Sequence, residues 1–490
     1  MDEKTYNPNR ALTALCIGFF MILVDSTIVS VAVEAMRTSL NASLNAVLWT
    51  TSAYLLAYAV PMLITGRMGD RFGAKNMYMI GLVVFTTASA WCGLSTSINM
   101  LIVARVVQGL GAAAMSPQTM AIITRIFPPE RRGKAMGIWG ATAGIASLVG
   151  PILGGLLIDY AGWEWIFFIN VPVGIIGLIY AWKVVPQLPV HSHSFDWLGV
   201  VLSALALFCI VFGIQEGSQY DWGTITGWIS VPLLIVAGLI FGAAFVWWQS
   251  KNPNEPLVPL SLFKDRNFSL ANIAIVAVGF GVTAMSFPFM IYAQAVRGHT
   301  PTEAALILAP MAVVSGVLAP VVGGLVDKYR PSIIAAFGLT VFSLGMLWYA
   351  VRLHADTSLW EMLAIAAVLG VANGFMWAPI TITATRTLSP RDVGAGSGVF
   401  NVTRQLGCVL GSASVASLMD ARLRAHLGAM ATGGGAAPMG TKMPPQVAEQ
   451  FSRAMGEAYY LPAAVLVIGI VAAVMFSNPH ASGARADTPA

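Results

Sequence analysis

The sequence predicts an all-α polytopic membrane protein of fourteen transmembrane helices, arranged as two pseudo-symmetric six-helix bundles with an inserted helix pair. Three observations carry that expectation. The 490-residue chain is 57% hydrophobic and only 10% charged, with a mean hydropathy of +0.74, whereas about 25% of a soluble globular chain is charged. Apolar runs of the length that crosses a bilayer follow one another from end to end. A charged signature occurs twice between such runs, as Gly66-Arg67-Met68-Gly69-Asp70-Arg71-Phe72-Gly73 and as Gly323-Gly324-Leu325-Val326-Asp327-Lys328-Tyr329. Matching loops at matching places indicate an internal duplication, whose cleft is the usual working site of such proteins.

The candidate spans are 11–33, 47–66, 77–95, 99–123, 135–158, 163–184, 197–215, 227–249, 268–292, 302–326, 331–350, 359–385, 395–419 and 459–476. Of the 27 Lys and Arg residues, 18 fall on the side of the N-terminus, seven on the opposite side and two, Arg105 and Arg404, inside spans. Cytoplasmic loops collect positive charge, so both termini are expected in the cytoplasm. The first run has no credible cleavage site and reads as a retained span. The chain then divides into an N-terminal bundle (11–184), an inserted transmembrane hairpin (197–249), a cytoplasmic connector (250–267), a C-terminal bundle (268–476) and a tail (477–490). The connector is rich in proline. The C-terminal bundle includes 420–458, a glycine-rich stretch expected to be a partly mobile external loop.

Composition also excludes function classes. No phosphate-binding glycine loop, zinc-spaced Cys/His cluster or nucleophile elbow is present, so no catalytic residue, metal ligand or bound cofactor is expected and the chain does not read as an enzyme. The net charge of +5 is dispersed between apolar runs, which points away from nucleic acid and leaves the lipid bilayer as the first partner. Cys16, Cys92, Cys209 and Cys408 each lie inside an apolar run and read as small buried hydrophobes.

The informative residues are polar groups inside spans. Asp25 lies about 20 Å into the first span, where an acid must pair, protonate or face a cavity. Glu34, nine positions later, is expected on roughly the opposite helix face, at the span mouth. Arg105 and Gln108 sit one turn apart in the fourth span and share a face. Arg404, beside Gln405, is expected in a second internal polar network. Asp70 and Arg71, with Asp327 and Lys328, lie at span ends, where an acid can accept bonds from a neighbouring helix N-terminus. Gly66 and Gly73 bracket the first copy. Gly140, Gly144, Gly150, Gly154 and Gly155 permit close helix approach in lipid, and Pro151 permits a bend. Tyr54, Tyr58, Met115, Met285, Phe289, Asn373, Met376 and Trp377 are candidates for a cavity that receives apolar or cationic ligands.

These stretches resemble the major facilitator superfamily, and within it the fourteen-span drug/proton antiporters. Residues 66–75 match the family's loop 2–3 motif. Leu101 to Gly111, with Arg105, Gln108 and Gly109, matches its fourth-span motif. Gly140 to Gly155 resembles the antiporter motif of span five, Trp163 to Gly174 the start of span six, and Asp25-Ser26-Thr27-Ile28-Val29 the first-span motif. Ser30 and Glu34 stand where the family usually has Asn and Pro. The resemblance implies the major facilitator fold and a monomeric transporter in the inner (plasma) membrane. It implies proton-coupled export of hydrophobic, often cationic compounds, with the proton as coupling ion. It gives Asp25 and Arg105 a part in proton coupling and the loop motifs a part in gating. Export of an endogenous lipid, siderophore or metabolite is the alternative on the same fold; a non-transporting receptor or scaffold is the alternative of a different class.

Overall fold

The computed structural model describes residues 7–42, 44–190, 196–252, 256–389, 392–427 and 444–477. Its helices are α1 (Pro8–Ile28), α2 (Val33–Ser39), α3 (Leu44–Ala59), α4 (Met62–Phe72), α5 (Ala74–Gly93), α6 (Ile98–Ile126), α7 (Pro129–Ala161), α8 (Trp165–Phe168), α9 (Asn170–Val184), α10 (Trp197–Gln215), α11 (Val231–Lys251), α12 (Arg266–Ala295), α13 (Pro301–Ile307), α14 (Ala309–Val326), α15 (Pro331–Arg352), α16 (Leu359–Thr385), α17 (Val393–Leu427), α18 (Pro445–Glu457) and α19 (Tyr460–Val474). Among the described residues, 11 helices are long and apolar enough to cross a membrane. The chain is an all-α polytopic membrane protein, apart from a short antiparallel ribbon, Thr224–Thr226 with Ile229–Ser230. That ribbon delays the expected span at 227–249, whose helix begins at Val231.

Local chemistry sets the helix ends. Asn7 caps α1 by accepting from the Asn9 N–H at 3.0 Å, and Asp265 caps α12 through the Phe268 N–H at 2.9 Å. Thr300 and Glu303 form a reciprocal capping box on α13. Gly73 has φ +93°, a conformation disfavoured for residues with a Cβ, and turns α4 into α5.

Four expected spans are broken, 163–184 among them, which divides at Ile169 into α8 and α9. Pro61 divides 47–66 into α3 and α4, because its ring cannot continue the hydrogen-bond ladder. A break at Leu308, before Pro310, divides 302–326 into α13 and α14. The first span stops being α-helical at Ile28 and continues as a 3-10 turn, Val29–Val31. The Ser26 and Thr27 hydroxyls there bond back to the Leu23 carbonyl, and β-branched residues follow. A 3-10 turn therefore lies between Asp25 and Glu34, where the sequence predicts continuous α-helix. The segment 420–458 is also not one loop: α17 runs to Leu427, α18 begins at Pro445, and 428–443 lies outside the described residues.

Helices α1 to α9 pack into an N-terminal group and α12 to α19 into a C-terminal group. The two groups meet along α7 with α14 and α16, and along α4 and α6 with α17. α10 pairs with α11 and also seats Val211 between Leu56 of α3 and Val409 of α17. Polar bonds hold residues 256–258 of the connector to its neighbours. Asp196 caps α10 through the Gly199 N–H and accepts from Trp248 Nε1 at 2.8 Å and Gln249 Nε2 at 2.7 Å. Arg67 donates to the Pro256 and Leu257 carbonyls at 2.7 and 3.0 Å.

Burial alone would raise the Asp196 pKa, but bonds from Trp248, Gly199, Gln249 and Leu257 outweigh it and hold the carboxyl below its ordinary value. A lowered folded-state pKa gives stabilisation that is full above the unfolded value, about 4, and lost as pH falls through the folded one. Asp196→Ala is expected to speed amide exchange at 197–200 and 256–258, with a cap loss of about 1 kcal/mol. Wild-type exchange there is expected to rise only at acidic pH, as hydrogen-exchange mass spectrometry can follow.

Candidate functional site: a buried charge centre behind two latches

Three helices bring together the polar residues that a bilayer would otherwise reject. α1 supplies Asp25, α6 supplies Arg105 and Gln108, and α9 supplies Asn170. Arg105 Nη1 donates to Asp25 Oδ2 at 2.6 Å and to Gln108 Oε1 at 2.7 Å. Gln108 Nε2 and Asn170 Nδ2 each donate to Asp25 Oδ1 at 2.9 Å. Arg105 Nε reaches the Thr50 carbonyl at 3.3 Å, and its guanidinium carbon lies 4.1 Å from the Tyr54 ring centroid. Asp25, Arg105 and Gln108 are wholly buried. A buried ion pair repays its desolvation only when further bonds satisfy both ions; these neighbours satisfy Asp25 and two of the guanidinium nitrogens, while Arg105 Nη2 is buried without a hydrogen-bond partner among the described residues. Protonating Asp25 would cancel its charge and strip Arg105 of its counter-ion, so one proton bears on the packing of all three helices.

The sequence marked Asp25, Arg105 and Gln108 but not Asn170, Ser89 or Thr50. Asn170 also donates to Ser89 Oγ at 3.1 Å, and Ser89 donates to the Phe167 carbonyl. An Asn inside an apolar run was the available signal for Asn170; a backbone carbonyl such as that of Thr50 leaves none. Glu34 lies in α2, and its side chain is outside the described set.

The two copies of the charged signature make reciprocal contacts. Asp327, at the end of α14, accepts from the Gly133 N–H at 2.9 Å and the Lys134 N–H at 3.4 Å, the fifth and sixth residues of α7. Asp70, in α4, pairs with Arg125 at 2.8 Å, and its carboxylate lies against Gly394, in the first turn of α17. Each group thus presents a carboxylate to a helix N-terminus of the other, where aligned peptide dipoles favour negative charge. Backbones touch at the same places. A Cβ on Gly66 would strike the Gly394 carbonyl, and one on Gly133 the Gly323 carbonyl. Arg71 places its guanidinium 5.4 Å from the neighbouring Phe72 ring, and Lys328 is exposed. Gly133, Gly394 and Gly398 were not singled out in the sequence.

The small residues of α7 serve two interfaces. Gly150 and Gly154 lie against Thr27 and Ile28 of α1, while Gly140 meets Trp377 of α16 and Gly155 meets Thr302 of α13. Gly144 and Pro151 continue the same helix. The expected cavity residues divide between the groups. Tyr54 stacks on Arg105, Tyr58 bonds Ser116 Oγ at 2.7 Å, and Met115 lies beside Gly18. Met285 and Phe289 are buried in the C-terminal group, against Tyr459 and Tyr349 respectively. On α16, Trp377 donates to Asn373, Met376 is fully buried, and Trp377 reaches across to α7.

Residues 15–412 match the family model described as Major Facilitator Superfamily. The chain belongs to this superfamily. It is 51% identical over 472 residues to the "Uncharacterized MFS-type transporter Rv1250" of Mycobacterium tuberculosis (strain ATCC 25618 / H37Rv), covering 96% of this chain and 81% of that one. It is 33% identical to the "Tetracenomycin C resistance and export protein" of Streptomyces glaucescens, covering 85% and 77% of the two chains. The fold is similar to that of the proton:xylose symporter XylE, with a TM-score of 0.64 and 14% identity over 95% of this chain and 94% of that one. This superfamily member is therefore a membrane transporter and not an enzyme.

Removing one ion of the buried pair is expected to cost more than removing both. Arg105→Ala should destabilise the protein by about 3–5 kcal/mol, and Asp25→Asn combined with Arg105→Gln by clearly less. Thermal unfolding in detergent checks this; equal losses would show that the two charges are not coupled.

Proposed function

We propose that this transporter is a fourteen-span proton-coupled antiporter that exports hydrophobic small molecules from the cytoplasm by alternating access. Three further helical regions, α3 with α4, α5 and α7, coincide with expected spans and complete fourteen. Six crossings then fall in each group and two in the inserted hairpin. With both termini cytoplasmic, the latches close the cytoplasmic end. The observation that carries this reading is the wholly buried Asp25–Arg105 centre, joined to three helices and set in the same group as Asp70. The name of the Streptomyces relative, an export and resistance protein, supports the outward direction.

In this reading Asp25 alternates between the Arg105-paired state and a protonated state, and the change in helix packing is coupled to release of the latches. Arg105 stays charged throughout and positions Asp25. The membrane potential supplies about 2.3 kcal/mol per charge per 100 mV, and the pH gradient adds to it.

The test is efflux from proteoliposomes under an imposed pH gradient, using hydrophobic fluorescent dyes of positive, neutral and negative charge. Gradient-driven efflux of at least one dye, reduced ten-fold or more in correctly inserted Asp25→Asn, is the expected result. Equal efflux in the variant would remove Asp25 from coupling, and no efflux of any dye by the wild type would overturn the drug-export reading.

A further inference from the structure

α17 carries a second buried charge that the Asp25 centre does not use. Arg404 is 8% exposed. It lies eleven residues after Val393, about 16 Å from the latched end of the helix. Its neighbours fix the face it occupies. Leu406 and Val409 pack beside α10, while Gly407 and Gly411 lie against Val276 and Phe280 of α12. Gly394, Gly398 and Asn401 lie against α4 and α6. At about 100° per residue, Arg404 falls between the α12 face and the α4/α6 face, towards the space between the two helix groups.

The guanidinium is not paired there. Its Nε and Nη2 are buried with no hydrogen-bond partner among the described residues. Two more buried polar atoms of α17 lack partners among the described residues, Asn401 Oδ1 and Ser397 Oγ, three and seven residues before Arg404. The helices packed on α17 carry few acids. α3 and α10 contain no Asp, Glu, Lys, Arg or His within their bounds, and Arg266 at its start is the charged residue of α12. Glu216, the buried C-cap of α10, lies five residues beyond Val211, the α10 residue that packs with Val409, and bonds Ser52 of α3. Asp70 of α4 faces Gly394, ten residues from Arg404 along α17, about 15 Å away. Glu361 of α16 lies in its first turn and binds Arg352 at 2.7 Å. Arg105 and Arg125 of α6 already pair with Asp25 and Asp70.

An arginine cannot discharge by losing its proton, and an uncompensated one inside a membrane bundle calls for a counter-charge. We propose that Arg404 is an anion-binding subsite of the transport cavity. The substrates it favours are then hydrophobic molecules bearing an acidic group, such as aromatic carboxylates, rather than the cationic compounds expected from the sequence. A guanidinium offers a carboxylate paired, charge-assisted bonds, and the Ser397 hydroxyl, two turns earlier on the same face of α17, can donate towards it. A cationic ligand would meet one uncompensated positive charge. The word substrate rests on the transport reading above; the subsite itself rests on the geometry of α17.

The test uses the full-length protein in lipid nanodiscs, with 1-pyrenebutyrate and its methyl ester as probes. Energy transfer from tryptophan to pyrene reports binding, and empty nanodiscs give the lipid background. The wild type is expected to bind the acid at least ten-fold more tightly than the ester. Arg404→Gln should abolish that preference and Arg404→Lys should keep part of it. Arg404→Gln should also leave Tm unchanged or raise it, because it removes an unpaired charge; a merely structural arginine predicts a lower Tm. No acid preference in the wild type, or a preference that survives in Arg404→Gln, overturns the proposal. Acid-selective binding without gradient-driven dye efflux keeps the subsite and sinks the antiport reading. Efflux without acid selectivity does the reverse.

Discussion

Two carboxylates, one from each helix group, sit at helix N-termini belonging to the opposite group. Asp327 accepts from the fifth and sixth residues of α7, and Asp70 lies at the first turn of α17. The rest of the arrangement depends on this exchange. It brings α7 against α14 and α4 against α17 so closely that glycine backbones touch. Each contact sets a carboxylate beside the N-terminal part of a helix, and the α7–α14 pairing continues through Gly137 against Ala319 and Ile145 against Gly316. The charged part is strong where water is excluded and weakens when water enters.

Behind the latches, the interior holds two arginines in opposite circumstances. Arg105 is surrounded by Asp25, Gln108, the Thr50 carbonyl and the Tyr54 ring, and its charge is matched by the Asp25 carboxylate. Arg404 is also buried and has no such partner among the described residues. On the reading proposed above, the balanced centre takes up the proton and the unbalanced centre the anion. The two groups thus carry complementary electrostatics even though the latches that join them are alike.

Much of this was legible because charge is scarce in a chain built for lipid. The repeated Asp70 and Asp327 announced equivalent positions, and the spacing of Arg105 and Gln108 announced one helix face. Their meeting with Asp25 and Asn170 was not legible, since it joins residues 80 or more apart in sequence through tertiary packing. Hydropathy counts continuous apolar runs, so it passed over the breaks at Pro61, Leu308 and Val29–Val31. It also read 420–458 as a loop, although α18 is an ordered helix fastened by His354 to Glu449 and by His426 to Glu457. Gly133 and Gly394 gave no sign of their importance, because a glycine in an apolar run looks the same whether it meets lipid or another backbone.

The central claim is that the reciprocal carboxylates hold the two groups together at one end. The most direct measurement is the distance between spin labels placed at Phe72 and Tyr329, which are exposed on opposite groups at that end, in wild type and in a variant combining Asp70→Asn with Asp327→Asn. The account predicts a short, narrow distribution for the wild type and a shift towards longer, broader distances in the variant. An unchanged distribution would contradict it.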